Sequence, residues 1–208
     1  MARSLKKLIA AVFCLVLLFE LSSCAVNTKS AEQTGFSMGS LVGIKLYGKN
    51  SEALENANLL AEVVKTDERI SKNYEGSDIY RVNSSGEHGE TVSSETYDEL
   101  RTVCDVYSDS HGKAAVLSGA LTELWGFDTD EFRLPSEDEI LSAKEKCGDD
   151  KLIFGDGKKV YIPDGAKLNL GSAGKGIALD EAVKRIDEIN SQGGKITGAV
   201  ISVGGSVA

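Results

Sequence analysis

Leu168-Asn169-Leu170-Gly171-Ser172-Ala173-Gly174-Lys175-Gly176-Ile177-Ala178-Leu179-Asp180 is the stretch on which the reading of this chain turns. Its apolar start, residues 168–170, predicts a strand. Gly171, Gly174 and Gly176 predict a loop, and a helical period follows with Ile177, Val183 and Ile186 on one side. Gly193-Gly194 ends the helix, and residues 199–203 predict a second buried strand. Strand, glycine loop, helix, strand is a βαβ-like order.

Two chemistries compete for that loop. Unpaired N–H groups at a helix start hold anions, and Lys175 adds a cation, which points to a phosphate-bearing ligand. Equally, small residues in a tight strand-to-helix turn simply allow close packing. The familiar phosphate signatures do not decide it. Counting back from Gly174-Lys175, a P-loop requires Gly where Asn169 stands, and Gly176 occupies its Ser/Thr position. The spacing Gly-x-x-Gly-x-Gly is also not the dinucleotide fingerprint Gly-x-Gly-x-x-Gly.

Working outward, the N-terminus reads as a targeting segment. Arg3, Lys6 and Lys7 precede an apolar run over residues 8–19, which is short for a membrane span of ~20 residues. Leu21-Ser22-Ser23-Cys24 is similar to a bacterial lipobox, so residues 1–24 predict a lipoprotein signal with lipid on Cys24. The mature protein is then expected outside the cytoplasm, anchored to a bacterial membrane by lipid. Polar residues 25–35 predict a tether, and residues 36–208 a folded domain. The formal net charge is -9; residues 1–23 hold three cations and one carboxylate, net +2, so the remainder stands at −11. Such a surface argues against nucleic acid as a partner. Of four cysteines, Cys14 and Cys24 fall in the signal. Cys104 shares a helical face with Tyr97, Leu100 and Tyr107, which predicts a buried thiol rather than a disulfide with Cys147. His88 and His111 show no metal-ligand spacing.

Within the domain, residues 36–47 predict one strand, 51–69 a helix capped by Ser51, and 95–108 a second helix. Ser136-Glu137-Asp138-Glu139 is a capping box opening a helix to about Lys146. Residues 152–154 and 160–162, joined through Gly155-Asp156-Gly157, predict a hairpin. Trp125 follows an apolar run and predicts core. The mixture fits an α+β or mixed α/β domain.

Several separated pieces resemble one family, the flavin transferases known as ApbE or FAD:protein FMN transferases. They are the lipoprotein signal, Met38-Gly39-Ser40, Ser77-Asp78-Ile79 with Asn83, Leu124-Trp125-Gly126-Phe127, Asn169 to Asp180, and Ala199 to Gly205. The set is collinear and covers the mature chain. The resemblance implies an α+β, T-fold-related mixed sheet with helices. It implies FAD as substrate, Mg²⁺ as cofactor, and transfer of FMN to a Thr or Ser of a flavoprotein partner with release of AMP. Some members mainly hydrolyse FAD. By the same resemblance Met38 and Asn73 would meet the flavin, Asn169 and Lys175 would contact FAD, and Ser172 would offer its carbonyl to magnesium. Lys113, Ala114 and Ala115 occupy a further FAD-binding segment in which the family has Ala-Phe-Asp, and Asn169 replaces Asp. Family members continue for over a hundred residues past the equivalent of Ala208, through the Asp and Thr that complete the magnesium site, so the chain is expected to be incomplete at its C-terminus. Two function classes stay open: the enzyme, or a non-catalytic lipoprotein that binds a flavin nucleotide or a partner.

Overall fold

The computed structural model describes residues 28–208 apart from 128 and 130. The leader and lipobox over 1–24, and the first residues of the expected tether, lie outside the described residues. From Lys29 onward that tether is a strand. β1 (Lys29–Ser37) pairs along its whole length with β2 (Ser40–Gly48). The single strand expected over residues 36–47 is therefore the corner of a hairpin, with Met38-Gly39 as its two-residue turn. β6 (Ile196–Val203) lies antiparallel on the other side of β2, and β7 (Ser206–Val207) completes the order β1-β2-β6-β7. The strand β2 alternates strictly: Val42, Ile44 and Leu46 are buried, while Leu41, Gly43, Lys45 and Tyr47 face the other way.

Helices cover the Val42-Ile44-Leu46 face. The helix expected over residues 51–69 is two, α1 (Ser51–Asn56) and α2 (Leu59–Ile70). Asn58 breaks it at φ 47, a left-handed position that Asn tolerates better than most. The cap of α1 is Asn50, whose side chain accepts from the Glu52 and Ala53 N–H groups, and not Ser51. α7 (Gly174–Ser191) packs beside α2 on the sheet. Its buried face is Ala178, Leu179 and Ala182; Val183 points to solvent, one position off the expected stripe.

A second half continues from α2. α3 (Asp78–Ser85) and α4 (Ser94–Asp109) pack against a three-stranded antiparallel sheet in the order β3 (Glu90–Thr91), β5 (Lys159–Tyr161), β4 (Ile153–Gly155). α5 (Gly119–Trp125) and α6 (Glu137–Lys144) form its outer edge. Cys104 and Cys147 are both free thiols, each partly buried. Two apolar clusters result. One holds Val42, Ile44, Leu46, Leu59, Val63, Ala178 and Ile201; the other holds Ile79, Val82, Leu100, Leu117, Val160, Leu168 and Leu170. Met38 packs against both. The fold is α+β with antiparallel sheets.

The expected strand at residues 168–170 is absent from both sheets. Leu168 and Asn169 are extended, but their backbone partners come singly. The Asn169 N–H donates to the Val116 carbonyl at 2.8 Å. The Asn83 side chain accepts from the Leu168 N–H at 2.7 Å and donates to its carbonyl at 2.9 Å. A side-chain amide thus stands in for a neighbouring strand, and with β6 antiparallel to β2 the described residues form no βαβ crossover.

Candidate functional site

Three corners of the chain converge on one cavity of about 170 Å³. The first is the Met38-Gly39 turn. The second is the exit of α2, with Asp67, Ile70, Ser71, Lys72 and Asn73. The third is the glycine stretch, with Asn169, Leu170, Gly171, Gly174 and Lys175. Of the expected site residues, Met38, Asn73, Asn169 and Lys175 therefore come together. Ser172 lies in the short 3₁₀ turn Leu170–Ser172 between two lining residues but is not itself in the wall. Lys113, Ala114 and Ala115 are outside the cavity, on the approach to Val116, whose carbonyl holds Asn169. Trp125 is half-buried and stacks on Phe127 with centroids 6.0 Å apart, away from the cavity.

The frame around the cavity is rigid for identifiable reasons. Arg69 makes a two-pronged ion pair with Glu99 at 2.5 and 2.7 Å, tying the end of α2 to α4. The Ser77 hydroxyl donates to the Ser71 carbonyl and accepts from the Tyr80 N–H at 2.8 Å, closing the turn that carries Asn73 and capping α3. Asp78, next in line, accepts from the Ser93 N–H and hydroxyl and from Arg81. Burial raises its carboxyl, but these hydrogen bonds outweigh it and hold the group below the usual range. Asp149, buried, accepts from the Val116 and Leu117 N–H groups at 2.6 to 3.0 Å and so shapes the segment that Asn169 leans on. Burial raises that carboxyl despite the two amides.

The cavity lining combines cationic and apolar side chains. The lining holds two lysines, Lys72 and Lys175, and one carboxylate, Asp67, a local excess of positive charge in a chain of net charge -9. Lys175 has no hydrogen-bond or ion-pair partner among the described residues. It sits on the first turn of α7, whose cap residue is Ala173 and offers no side-chain hydrogen bond. By contrast Ser77, Ser93 and Ser136 cap their helices. The first N–H groups of α7 are thus without a side-chain acceptor, and a bound anion can take that place. Gly174 packs closely on the end of α2: a Cβ there would lie 3.3 Å from Ile70 Cδ1, so that side-chain tip would have to shift by a few tenths of an ångström. The apolar lining of the cavity is Met38, Ile70 and Leu170. Asn169 is a wall rather than a free hand. Its Oδ1 accepts from the Gly171 N–H at 2.9 Å and its Nδ2 donates to Thr122 Oγ1 at 3.1 Å.

A family model described as the ApbE family matches residues 38–208, most of the chain. The chain belongs to the ApbE family. A curated relative, an FAD:protein FMN transferase of Haemophilus influenzae, is 21% identical over 215 residues, covering 98% of this chain and 61% of the relative. The crystal structure of the ApbE protein of Thermotoga maritima superposes with a TM-score of 0.76 at 26% identity, over 86% of this chain and 58% of that one. The apo flavinyl transferase ApbE of Pseudomonas stutzeri gives 0.73 at 24% identity, over 86% and 57%. The chain thus spans about three-fifths of the length of the ApbE proteins it matches. Its Met-Gly turn, its Ser77 turn and its glycine stretch all fall within the matched residues, 38–208.

A larger depression of about 610 Å³ lies between α5 and α6, lined by Glu123, Asp138, Glu139, Lys146 and small or apolar residues. Its three carboxylates against one cation suit a polyanion poorly. Sequence reasoning did not single out Asp67, Ile70, Lys72 or Leu170. Asp67 and Lys72 read as solvated charges at a helix end, and only the fold turns them inward.

Proposed function

We propose that this chain carries the flavin-nucleotide site of an FAD:protein FMN transferase. FAD would bind across the cavity, with FMN passed to a Thr or Ser of a flavoprotein partner and AMP released. The observation that supports this best is the convergence of Met38, Asn73 and Lys175, from three separated segments, around one small cationic cavity. Its volume is below the ~300–1,000 Å³ of pockets that enclose a whole drug-sized ligand, so it would hold one part of FAD. Lys175 and the uncapped start of α7 would meet the pyrophosphate. Met38, Ile70 and Leu170 would cover an aromatic ring, and Asn73 would hydrogen-bond at its edge. These contacts orient the phosphorus and remove water from it, which is the protein's main contribution to phosphoryl-type transfer.

Magnesium enters the proposal through the Ser172 carbonyl alone. Among the described residues no three Asp, Glu, His or Cys side chains group to hold a metal. The cavity's carboxylate, Asp67, is committed to the Met38 turn. These side chains do not make a magnesium site by themselves, and no step is carried through the ion. Lys113, Ala114 and Ala115 remain part of the proposal as an outer contact for FAD. Lipid on Cys24 and an extracytoplasmic, membrane-anchored location belong to it too. Metabolic labelling with a clickable fatty acid, lost in Cys24→Ala, is the expected outcome; equal labelling rejects the anchor.

The central test is a fluorescence titration of the purified protein with FAD. Wild type should bind, and Lys175→Ala should bind more weakly by about 1.5–3 kcal/mol, the value of one charge-assisted hydrogen bond. An unchanged affinity in a folded variant would return Lys175 to the surface. Binding without covalent transfer to any flavoprotein partner would favour the second reading, a flavin-binding lipoprotein.

A further inference from the structure

Met38 and Gly39 have φ of 52 and 65, both in the left-handed region that a two-residue type I′ hairpin turn requires. Gly39 takes that conformation freely. Met38 does not, because its Cβ crowds the following carbonyl, and Met is not among the residues such turns select. The hold on this conformation comes from outside the hairpin. Asp67 Oδ2, near the end of α2, accepts from the Met38 N–H at 2.6 Å and from the Ser37 hydroxyl at 2.9 Å. One carboxylate oxygen thus grips two consecutive residues of the turn, and hydrogen bonds to a carboxylate are short and strong. The same helix end supplies Ile70 and, past its cap, Asn73 to the cavity wall. The turn and the floor are therefore fixed to one another through Asp67.

We propose that Asp67 is a positioning residue of the flavin site: it locks the Met38-Gly39 turn in its left-handed form and so places the Met38 side chain at the cavity. This rests on the flavin reading above. Without Asp67 the turn is free to relax toward the right-handed form that Met prefers. The apparent affinity for FAD then falls by the fraction of time the competent turn is populated.

The test uses the full chain as wild type, Asp67→Asn, Asp67→Ala and, for contrast, Lys175→Ala. The chain has 2 methionines, Met1 and Met38, so ¹⁵N-methionine labelling reports the Met38 amide almost alone. In the flavin-free wild type that amide should be strongly downfield and slow to exchange. It should move part-way in Asp67→Asn, which keeps a neutral acceptor, and to a solvated position in Asp67→Ala. FAD affinity should fall in the same order, by about tenfold for Ala if the unlocked turn is competent a tenth of the time. The visible band of the bound flavin should shift with it. Lys175→Ala should weaken FAD and leave the Met38 amide unmoved. A folded Asp67→Ala that binds FAD with wild-type affinity and spectrum overturns the proposal. Should the Ala variant not fold, Asp67→Asn decides on the same two readings. A wild type that binds no FAD overturns the flavin reading instead, and the Met38 amide alone then shows whether Asp67 locks the turn.

Discussion

At the scale of single residues, Met38 is the most informative position. It is a left-handed non-glycine, it packs on both apolar clusters, and it lines the cavity. Replacing it with glycine separates these roles. Met38→Gly relieves a left-handed strain of about 1–2 kcal/mol and adds chain entropy costing roughly 0.5–1 kcal/mol. Loss of the half-buried side chain from both clusters costs roughly a further 1–2 kcal/mol, so stability in a urea titration should fall by no more than about 2 kcal/mol, while FAD affinity drops because the apolar cover is gone. A large loss of stability with unchanged affinity would make Met38 a packing residue only. Cys104 gives a second test. Its thiol is pushed up to about 11, first by burial and then by the charge of Asp149. An ordinary thiol titrates near 9.0, so thiolate at pH 8 should be about 100-fold scarcer at Cys104 than at a free cysteine. Iodoacetamide with mass-spectrometric readout should leave native Cys104 largely unmodified and label it readily in urea.

At the scale of elements, the sequence was most legible where the signal is local. The capping box at Ser136 is present with both of its hydrogen bonds. Glu139 accepts from the Ser136 N–H and from Arg133, which hold its carboxyl down to about 2. A depressed folded value means that its contribution is present above the ordinary value, near 4.5. That contribution is lost as pH falls from there through about 2. A ¹³C-carboxyl titration should show that midpoint, and Ser136→Ala should raise it. Legibility failed where a side chain from far along the chain decides the outcome. Residues 168–170 have the apolarity of a strand, but their partner is the amide of Asn83, 85 residues away. Asn83→Ala removes two hydrogen bonds from buried backbone, so it should destabilise by roughly 2–4 kcal/mol, read as a lowered urea midpoint with unchanged slope. The hairpin was hidden because Met-Gly carries none of the Asn-Gly turn signal. Residues 51–69 read as one helix because nothing in a periodic count marks the left-handed Asn58.

At the scale of the whole molecule, the candidate site lies at the joint of two apolar clusters, and the two halves meet through Met38, Ile70 and the start of α7. Met38, Asn73, Asn169 and Lys175 could be named from motif resemblance alone. Asp67 could not, because a carboxylate on the last turns of a helix looks like any solvated charge until the hairpin folds over it. Truncating a large side chain under that joint should be felt globally. Leu168 is fully buried, and Leu168→Ala should cost about 2.7–5 kcal/mol. At about 2–4 °C per kcal/mol for a chain of this size, melting should fall by roughly 5–20 °C.

The strand β1 starts at Lys29, which leaves four residues between it and Cys24. With the proposed lipid on Cys24, those five peptide steps span at most roughly 18 Å. The first strand would then ride within a short leash of the headgroups, so the domain could sweep only a thin layer above the bilayer. Encounter with an acceptor would become a search in two dimensions, open to proteins in or on the same membrane and closed to those diffusing beyond that layer. Under the proposed transfer, lengthening the leash with a flexible insert before Lys29 would widen the set of acceptors within reach. Energy transfer from a dye at residue 29 to headgroup acceptors should fall as the insert grows.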